Sequence, residues 1–332
     1  MTIKLSRRRV LALGSGAVIA AGIGAPSIVR AETFPSRPIN IINPFSAGGY
    51  VDRMARGYAN FMQESMGQPM VIIGKPGASG MLGHQYFLQQ PDDGYTILAT
   101  APTPFIILNI LLQGAPYKVE DFDIINTPAR DFTLLATSVK KPFKSINEVI
   151  DALKKDAGSL SIGVQAASAD YVNLMLMADA AGINRADLRV VTYDGGGPTR
   201  NAIAGGVVDV GLVGGEGFLP IMNLIRPLLA FSDERVAEFD APTLQQVFPD
   251  KKVETVAGSQ RGFVVHPSLK QKHPDRYEAL VKAVKGVSDD PKAVKSLEEQ
   301  DLEATWYGPE RSNADFRAAY GVIQKHIGLL KS

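Results

Sequence analysis

The chain has 332 residues, 45% hydrophobic and 21% charged, with a formal net charge of +1 and no cysteine. Such a composition gives a folded chain with enough interior for one large core or two smaller ones, and it excludes collagen, coiled-coil and disordered classes. Without thiols there is no disulfide framework and no thiolate chemistry.

Taken in chain order, the first segment to interpret is residues 1–31. Ser6-Arg7-Arg8-Arg9 precedes a short, Gly/Ala-rich apolar run and the small-residue end Val29-Arg30-Ala31. A basic start, apolar middle and small end read as an export signal cleaved after Ala31, which places the mature chain in the periplasm. Arg7 and Arg8 fit the twin-arginine type, with Val10 where that pattern has Phe. The run is too short and glycine-rich for an uncleaved anchor, and no later span reaches the roughly 20 apolar residues of a membrane helix. Residues 1–31 hold five basic side chains and no acid, so removal leaves 30 basic against 34 acidic residues, a net charge of −4. A mildly acidic body gives no footprint for nucleic acid or an anionic membrane.

A strand is predicted over 39–43, ended by Pro44. Val51, Met54, Ala55, Tyr58, Met62 and Met66 recur at spacings of three and four and predict a helix over 52–66, stopped by Gly67. A strand at 70–73, a helix at 80–90, the turn Asp92-Asp93-Gly94 and a strand at 95–100 complete a βαβαβ set, implying a parallel sheet. A second set follows. Ser145-Ile146-Asn147-Glu148 reads as a capping box opening a helix to 155. Strands at 160–164, 189–193, 207–213 and 227–231 alternate with helices at 170–181 and 198–204. Helices near 274–287, 291–300 and 313–327 close the chain. The fold class is α/β with two lobes and a ligand cleft between them. Lobe 1 comprises 32–134 and 230–332, lobe 2 comprises 135–229, and short β crossings near 133–137 and 228–231 serve as a two-strand hinge.

Four strand-to-helix turns carry small residues: Pro44 to Asp52, Lys75-Pro76-Gly77-Ala78-Ser79-Gly80, Ala166-Ala167-Ser168-Ala169 and Asp194-Gly195-Gly196-Gly197-Pro198. Glycines there leave backbone N–H groups bare, and two helix N-termini per lobe make facing receptors for an anion.

Together with Gly67-Gln68-Pro69, Pro91-Asp92-Asp93-Gly94-Tyr95-Thr96, Gly206-Val207-Val208-Asp209 and Pro242-Thr243-Leu244, these turns make nearly the whole mature chain resemble the substrate-binding receptors of tripartite tricarboxylate transporters, also called Bug receptors. The resemblance implies a type II periplasmic-binding-protein-like fold. It implies a monomeric receptor that captures a small carboxylate-bearing solute for the membrane subunits of a tripartite transporter. It further implies contacts from Ser46, Ala47, Gly48, Gly49, Tyr50, Ala78, Ser79, Thr100 and Ala101 in lobe 1, and from Ser168, Tyr193, Asp194, Gly195 and Gly196 in lobe 2. The chain departs from the family pattern at Gly74 (usually Asn), at Tyr171 (often His) and around Ser259-Gln260-Arg261-Gly262, where a tryptophan is frequent.

Micromolar affinity needs about 8 kcal/mol. Four to six hydrogen bonds to a charged acceptor, at roughly 1.5–3 kcal/mol each, reach that without a guanidinium. Arg130, Arg200 and Arg261 remain candidates for one. Asp52 and Arg56 form an i,i+4 pair in which Asp52 also orders the preceding loop. Asp209 reads as structural and Trp306 as packing. There is no nucleophile elbow, Walker loop or H-E-x-x-H, and His84, His266, His273 and His326 lack metal-ligand spacing. No cofactor, metal or catalytic residue is expected. A periplasmic enzyme and a transport-independent sensor input are the competing classes.

Overall fold

A computed structural model describes residues 33–165, 168–193, 195–232, 234–256 and 258–330; the export segment with its cleavage position, and Ala166, Ala167 and Asp194, lie outside them. In chain order the first elements are β1 (Ile39–Asn43), α1 (Tyr50–Met66), β2 (Met70–Gly74), α2 (Met81–Leu88), β3 (Thr96–Ala101), α3 (Ile107–Gln113) and β4 (Asp123–Arg130). Next come β5 (Thr133–Ser138), α4 (Ile146–Lys155), β6 (Ser161–Gln165), α5 (Ala169–Ala181), β7 (Arg189–Tyr193), α6 (Gly196–Gly205), β8 (Val210–Gly214) and β9 (Ile225–Phe231). The remainder is α7 (Leu244–Val247), β10 (Gln260–Val265), α8 (Leu269–Lys272), α9 (Pro274–Asp289), α10 (Pro291–Glu298) and α11 (Gly308–His326).

The strands form two five-stranded sheets, ordered β2-β1-β3-β10-β4 and β7-β6-β8-β5-β9. In each, three parallel strands from a βαβαβ unit are followed by an antiparallel strand, β10 or β5. The purely parallel sheet expected from the sequence is therefore corrected to a mixed one. β4 and β10 were not anticipated at all. They pair closely: a Cβ on Gly262 would stand 1.9 Å from the Asn126 carbonyl oxygen, so only glycine fits there.

The predicted helix faces are the buried ones. Val51, Met54, Ala55, Tyr58 and Met62 of α1 pack with Phe263, Leu280 and Leu297 on one face of the first sheet. Ile42, Leu98, Phe87, Ile107, Ile124 and Phe316 cover its other face, joined there by Val172 and Leu176 of α5. Two further clusters sandwich the second sheet. Trp306 packs against the first cluster, in its expected role. Asp209 is structural too, although it precedes β8 instead of lying inside a strand. Its carboxylate accepts from Lys141 Nζ at 2.7 Å and from the Ser161 N–H and hydroxyl at 2.8 and 2.7 Å. The Ser145 cap forms, accepting the Glu148 N–H, but Glu148 receives the Lys144 N–H, so the box is not reciprocal.

The hinge differs from expectation. Residues 133–137 and 228–231 do not cross between sheets; they pair with each other inside the second one, with Thr133 opposite Phe231. The chain crosses at Asp131–Phe132 and returns at residues 258–259, because the segment after β9 still packs on the second sheet: Phe239, Ala241 and Leu244 are buried there, and the Ala230 N–H donates to Pro242 O. The return to the first sheet thus lies near 259, not at 230. The two crossings run side by side, with the Asp131 N–H donating to Ser259 O at 3.0 Å.

Candidate functional site

The turn after β1 is braced from within. The Phe45 N–H donates to Asn43 Oδ1, the Gly48 N–H to Asp52 Oδ2 at 3.0 Å and the Gly49 N–H to Ser46 O at 3.2 Å. Asn43 Nδ2 and Arg56 Nε also donate to Asp52. Burial opposes ionisation of this carboxyl, but the bonds from Arg56, Gly48 and Asn43 outweigh it and hold the pKa below the usual range. Asp52 orders the loop as anticipated. The consequence corrects the sequence reading, since the Gly48 and Gly49 amides are engaged inside the turn and not bare. The donors left to a solute are the exposed tip at Ser46 and Ala47 and the first turn of α1, which Gly49 leaves without a side-chain cap.

The second turn is conformationally unusual. Gly77, Ala78, Ser79 and Gly80 all have positive φ, at 138°, 48°, 52° and 90°. A left-handed run through two non-glycine residues costs energy and persists only where surrounding structure imposes it. Asn109 Nδ2 does so, reaching the Ala78 and Ser79 carbonyls at 3.5 and 3.4 Å. Behind Asn109 lies buried His84, whose Nδ1 is 3.0 Å from Asn109 Oδ1 and whose Nε2 is 2.8 Å from the Thr100 hydroxyl. Burial lowers the His84 pKa to about 4, against the bond to Asn109, so the imidazole is neutral. Thr100 and Ala101 are buried at 0% and 2%, and the Thr100 hydroxyl is engaged by His84. Neither presents a side-chain group to a solute.

In the second sheet, Ser168 is 3% exposed and caps α5, accepting the Tyr171 N–H and donating to Gln165 O. Asp170 accepts the Thr133 hydroxyl at 2.7 Å. Burial pushes its pKa up to about 6, opposed by Thr133 and assisted by the charge of Asp131. Tyr193 packs in the cluster beside α6. Gly195, at φ 108°, precedes α6, and a Cβ on Gly196 would meet Arg200 Nη1 at 3.2 Å.

Between the two sets of turns lies a charged junction, of which the sequence reading named Tyr50, Arg130, Arg200 and Arg261 but none of the acidic members. Arg261 Nη2 is 3.0 Å from Asp131 Oδ2, and its Nη1 is 3.8 Å from Glu216 Oε2. The Glu216 N–H donates to Asp131 Oδ1. Glu303, from the segment between α10 and α11, lies close enough to Glu216 to act on its ionisation. Glu303 Oε2 accepts the Arg130 N–H at 3.3 Å. Burial, the Glu303 contact and the charge of Asp131 push Glu216 up to about 10. Tyr50 lies beneath, with the Arg261 guanidinium 4.3 Å above its ring and its hydroxyl accepting the Glu303 N–H. Burial, then the negative charge of Glu303, raises this phenol far above its ordinary pKa. Arg200 completes the group, its guanidinium lying where a Cβ on Gly217 would be, 2.3 Å from Cζ. Gln260 and Arg261 occupy the place where a tryptophan was looked for; Gln260 is buried and bridges Thr103. One signal was available: Gly214-Gly215-Glu216-Gly217 is a fifth turn of small residues at the end of a strand, and the fourth rich in glycine.

Among the described residues no three His, Cys, Asp or Glu side chains are placed to hold a metal ion. A surface hollow of about 500 Å³ lies away from these turns, lined by Glu234, Arg235, Thr243, Gln245, Gln246 and Pro249, and contains no predicted site residue.

Residues 54–326 match the tripartite tricarboxylate transporter family receptor model. BugT of Bordetella pertussis is 31% identical over 251 residues, spanning 73% of this chain and 75% of that protein. A TctC solute-binding protein from Polaromonas superposes with a TM-score of 0.72 at 21% identity, over 89% of this chain and 99% of that one. An R. palustris protein solved with adipate gives a TM-score of 0.72 at 22% identity, over 90% and 98%. At such identities the structures show the fold alone, two lobes of the periplasmic-binding-protein type. With the family match covering most of its length, the chain belongs to the receptor family of tripartite tricarboxylate transporters, the TctC or Bug solute-binding proteins.

Proposed function

We propose that this chain is an exported receptor that closes its two lobes on a small carboxylate-bearing solute in the periplasm and delivers it to the membrane subunits of a tripartite transporter, without chemical turnover and as a monomer. The observation that carries the reading is the meeting of both sheets' strand-end turns at one junction, around Glu216, Arg261 and Asp131. In open α/β sheets ligands bind outside the carboxyl ends of the strands, where turns and helix N-termini converge. The adipate held by a neighbour of the same fold supports a carboxylate ligand.

The contacts proposed are the tip at Ser46 and Ala47 with the Gly48-Gly49-Tyr50 helix start, the strained Ala78 and Ser79, and the α5 and α6 starts at Ser168 and at Tyr193, Asp194, Gly195 and Gly196. Thr100 acts from behind, by fixing His84. Native mass spectrometry of the chain purified from its periplasm tests the reading. A bound organic acid, released unchanged on denaturation, is the expected result. A ligand-free chain that no carboxylate stabilises against heat refutes it.

A further inference from the structure

The turn after β2 holds two backbone donors that the fold does not use. The Gly77 carbonyl accepts the Gly80 N–H at 3.0 Å and the Leu82 N–H at 3.5 Å, so the N–H on the far side of that peptide, that of Ala78, points away from α2. Asn109 Nδ2 stands 3.5 Å from Ala78 O, which turns the Ser79 N–H away from the interior in the same manner. Both residues are exposed, and neither N–H finds an acceptor among the described residues. Adjacent free amides in a turn make a receptor for an anion.

The conformation that presents them is imposed from outside the turn. Ala78 and Ser79 sit at φ 48° and 52°, a region that residues with a Cβ enter at a cost. Asn109 Nδ2 also lies 3.4 Å from Ser79 O, so one amide group spans both carbonyls and offsets that cost. The Asn109 amide is itself oriented. Its Oδ1 accepts the Tyr117 hydroxyl at 2.7 Å and lies 3.0 Å from His84 Nδ1. With the Thr100 hydroxyl donating to His84 Nε2 at 2.8 Å, a neutral imidazole carries its proton on Nδ1 and donates to the same Oδ1. Two donors on Oδ1 leave Nδ2 for the turn. His84, Asn109, Tyr117 and Thr100 are all buried, so water does not compete for these bonds.

We infer that Asn109 is a positioning residue for solute capture: it fixes the left-handed Ala78-Ser79 turn, so that the two free amides meet a solute carboxylate without reordering. The inference rests on the receptor reading above, which puts Ala78 and Ser79 against the solute, and adds the device that shapes them. His84 and Tyr117 act one step further back, by orienting the Asn109 amide.

Isothermal titration of the full mature chain with succinate, malate and adipate tests this. Asn109→Leu, close in size but without a donor, should weaken the tightest of the three at least about tenfold. Glycine enters the left-handed region without the Cβ penalty, so a turn of two glycines needs no brace. Ala78→Gly with Ser79→Gly should therefore recover at least about threefold of the affinity in the Asn109→Leu background, while changing that of the parent by less than about threefold. Any melting temperature lost through Asn109→Leu should not return with the glycines, which separates placing the turn from holding the fold. Asn109→Ala, which leaves room for a water beside His84 and Tyr117, is read in the same way should Asn109→Leu not fold. A loss smaller than about threefold, or a loss that the glycines leave in place, overturns the inference and leaves the receptor reading standing. If none of the three acids binds, an organic acid that co-purifies with the chain takes their place as probe. If none co-purifies either, the receptor reading fails and this inference with it.

Discussion

Replacing Asp131 with alanine probes the junction through stability alone. Its side chain is 4% exposed and that of Arg261 14%, and the two meet at 3.0 Å. Asp131 Oδ1 also accepts the N–H groups of Phe132 at 2.9 Å and Glu216 at 3.3 Å. Truncation leaves a buried guanidinium with only Glu216 nearby, at 3.8 Å, and two backbone donors unpaired. Breaking a buried ion pair from one side costs about 3–5 kcal/mol. Water cannot readily take the carboxylate's place, because Gly214 presses so closely on it that a Cβ there would stand 2.1 Å from Asp131 Oδ2. At about 2–4 °C per kcal/mol for a chain of this size, the melting temperature should fall by roughly 6–20 °C. Thermal unfolding followed by circular dichroism measures this, and a double-mutant cycle with Arg261→Met isolates the pair. The double variant should be more stable than the sum of the single losses predicts, by about 1–3 kcal/mol. A melting temperature within 2 °C of the parent for Asp131→Ala, or strictly additive losses, would refute the reasoning.

Three further outcomes are expected. His84 has a folded pKa of about 4 against an unfolded value near 6.5, so its contribution is complete above pH 6.5 and is lost as pH falls towards 4, by about 3 kcal/mol; denaturant titrations between pH 7 and 4 should show the slope, and His84→Gln should flatten it. Gly196→Val should weaken solute binding about tenfold by displacing Arg200 Nη1, 3.2 Å from the new Cβ, while the ligand-free melting temperature stays within a few degrees; retained affinity in calorimetry would move the site elsewhere. Lys-Lys in place of Arg7 and Arg8 should hold the precursor in the cytoplasm, and fractionation showing normal periplasmic accumulation would remove the twin-arginine assignment.

The parts of the fold legible in the sequence are those whose signal is local. Ile39, Ile41 and Ile42 make a buried run, the α1 face repeats at helical spacing, and Gly67 ends the helix in the left-handed region at φ 66°. β4 and β10 carry no such mark. Pro128 and Asn126 interrupt β4, and β10 becomes a strand only by pairing antiparallel with β3 and β4, which lie far off in sequence. The site divides the same way. The glycine turns and the capping role of Asp52 could be read from spacing. That the Gly48 amide would be consumed by that cap could not, nor that His84 would claim the Thr100 hydroxyl. The junction is least legible of all, since Tyr50, Asp131, Arg200, Glu216, Arg261 and Glu303 come from six separate segments and acquire meaning only as neighbours.

The strand order carries a consequence for how the chain assembles. Each crossing joins the edge strand of one sheet to the antiparallel inner strand of the other, β4 to β5 and β9 to β10. The second sheet draws all five strands from one continuous stretch, Thr133 to Phe231, whereas the first cannot seat β4 until β10 has been synthesised. A nascent chain therefore completes the later-starting half first, while β1, β2 and β3 wait with an unpaired edge at β3. Closing that sheet is a long-range event of the kind that slows folding and exposes strand edges to aggregation. Truncation between β9 and β10 should accordingly leave an ordered second half beside an aggregation-prone first half.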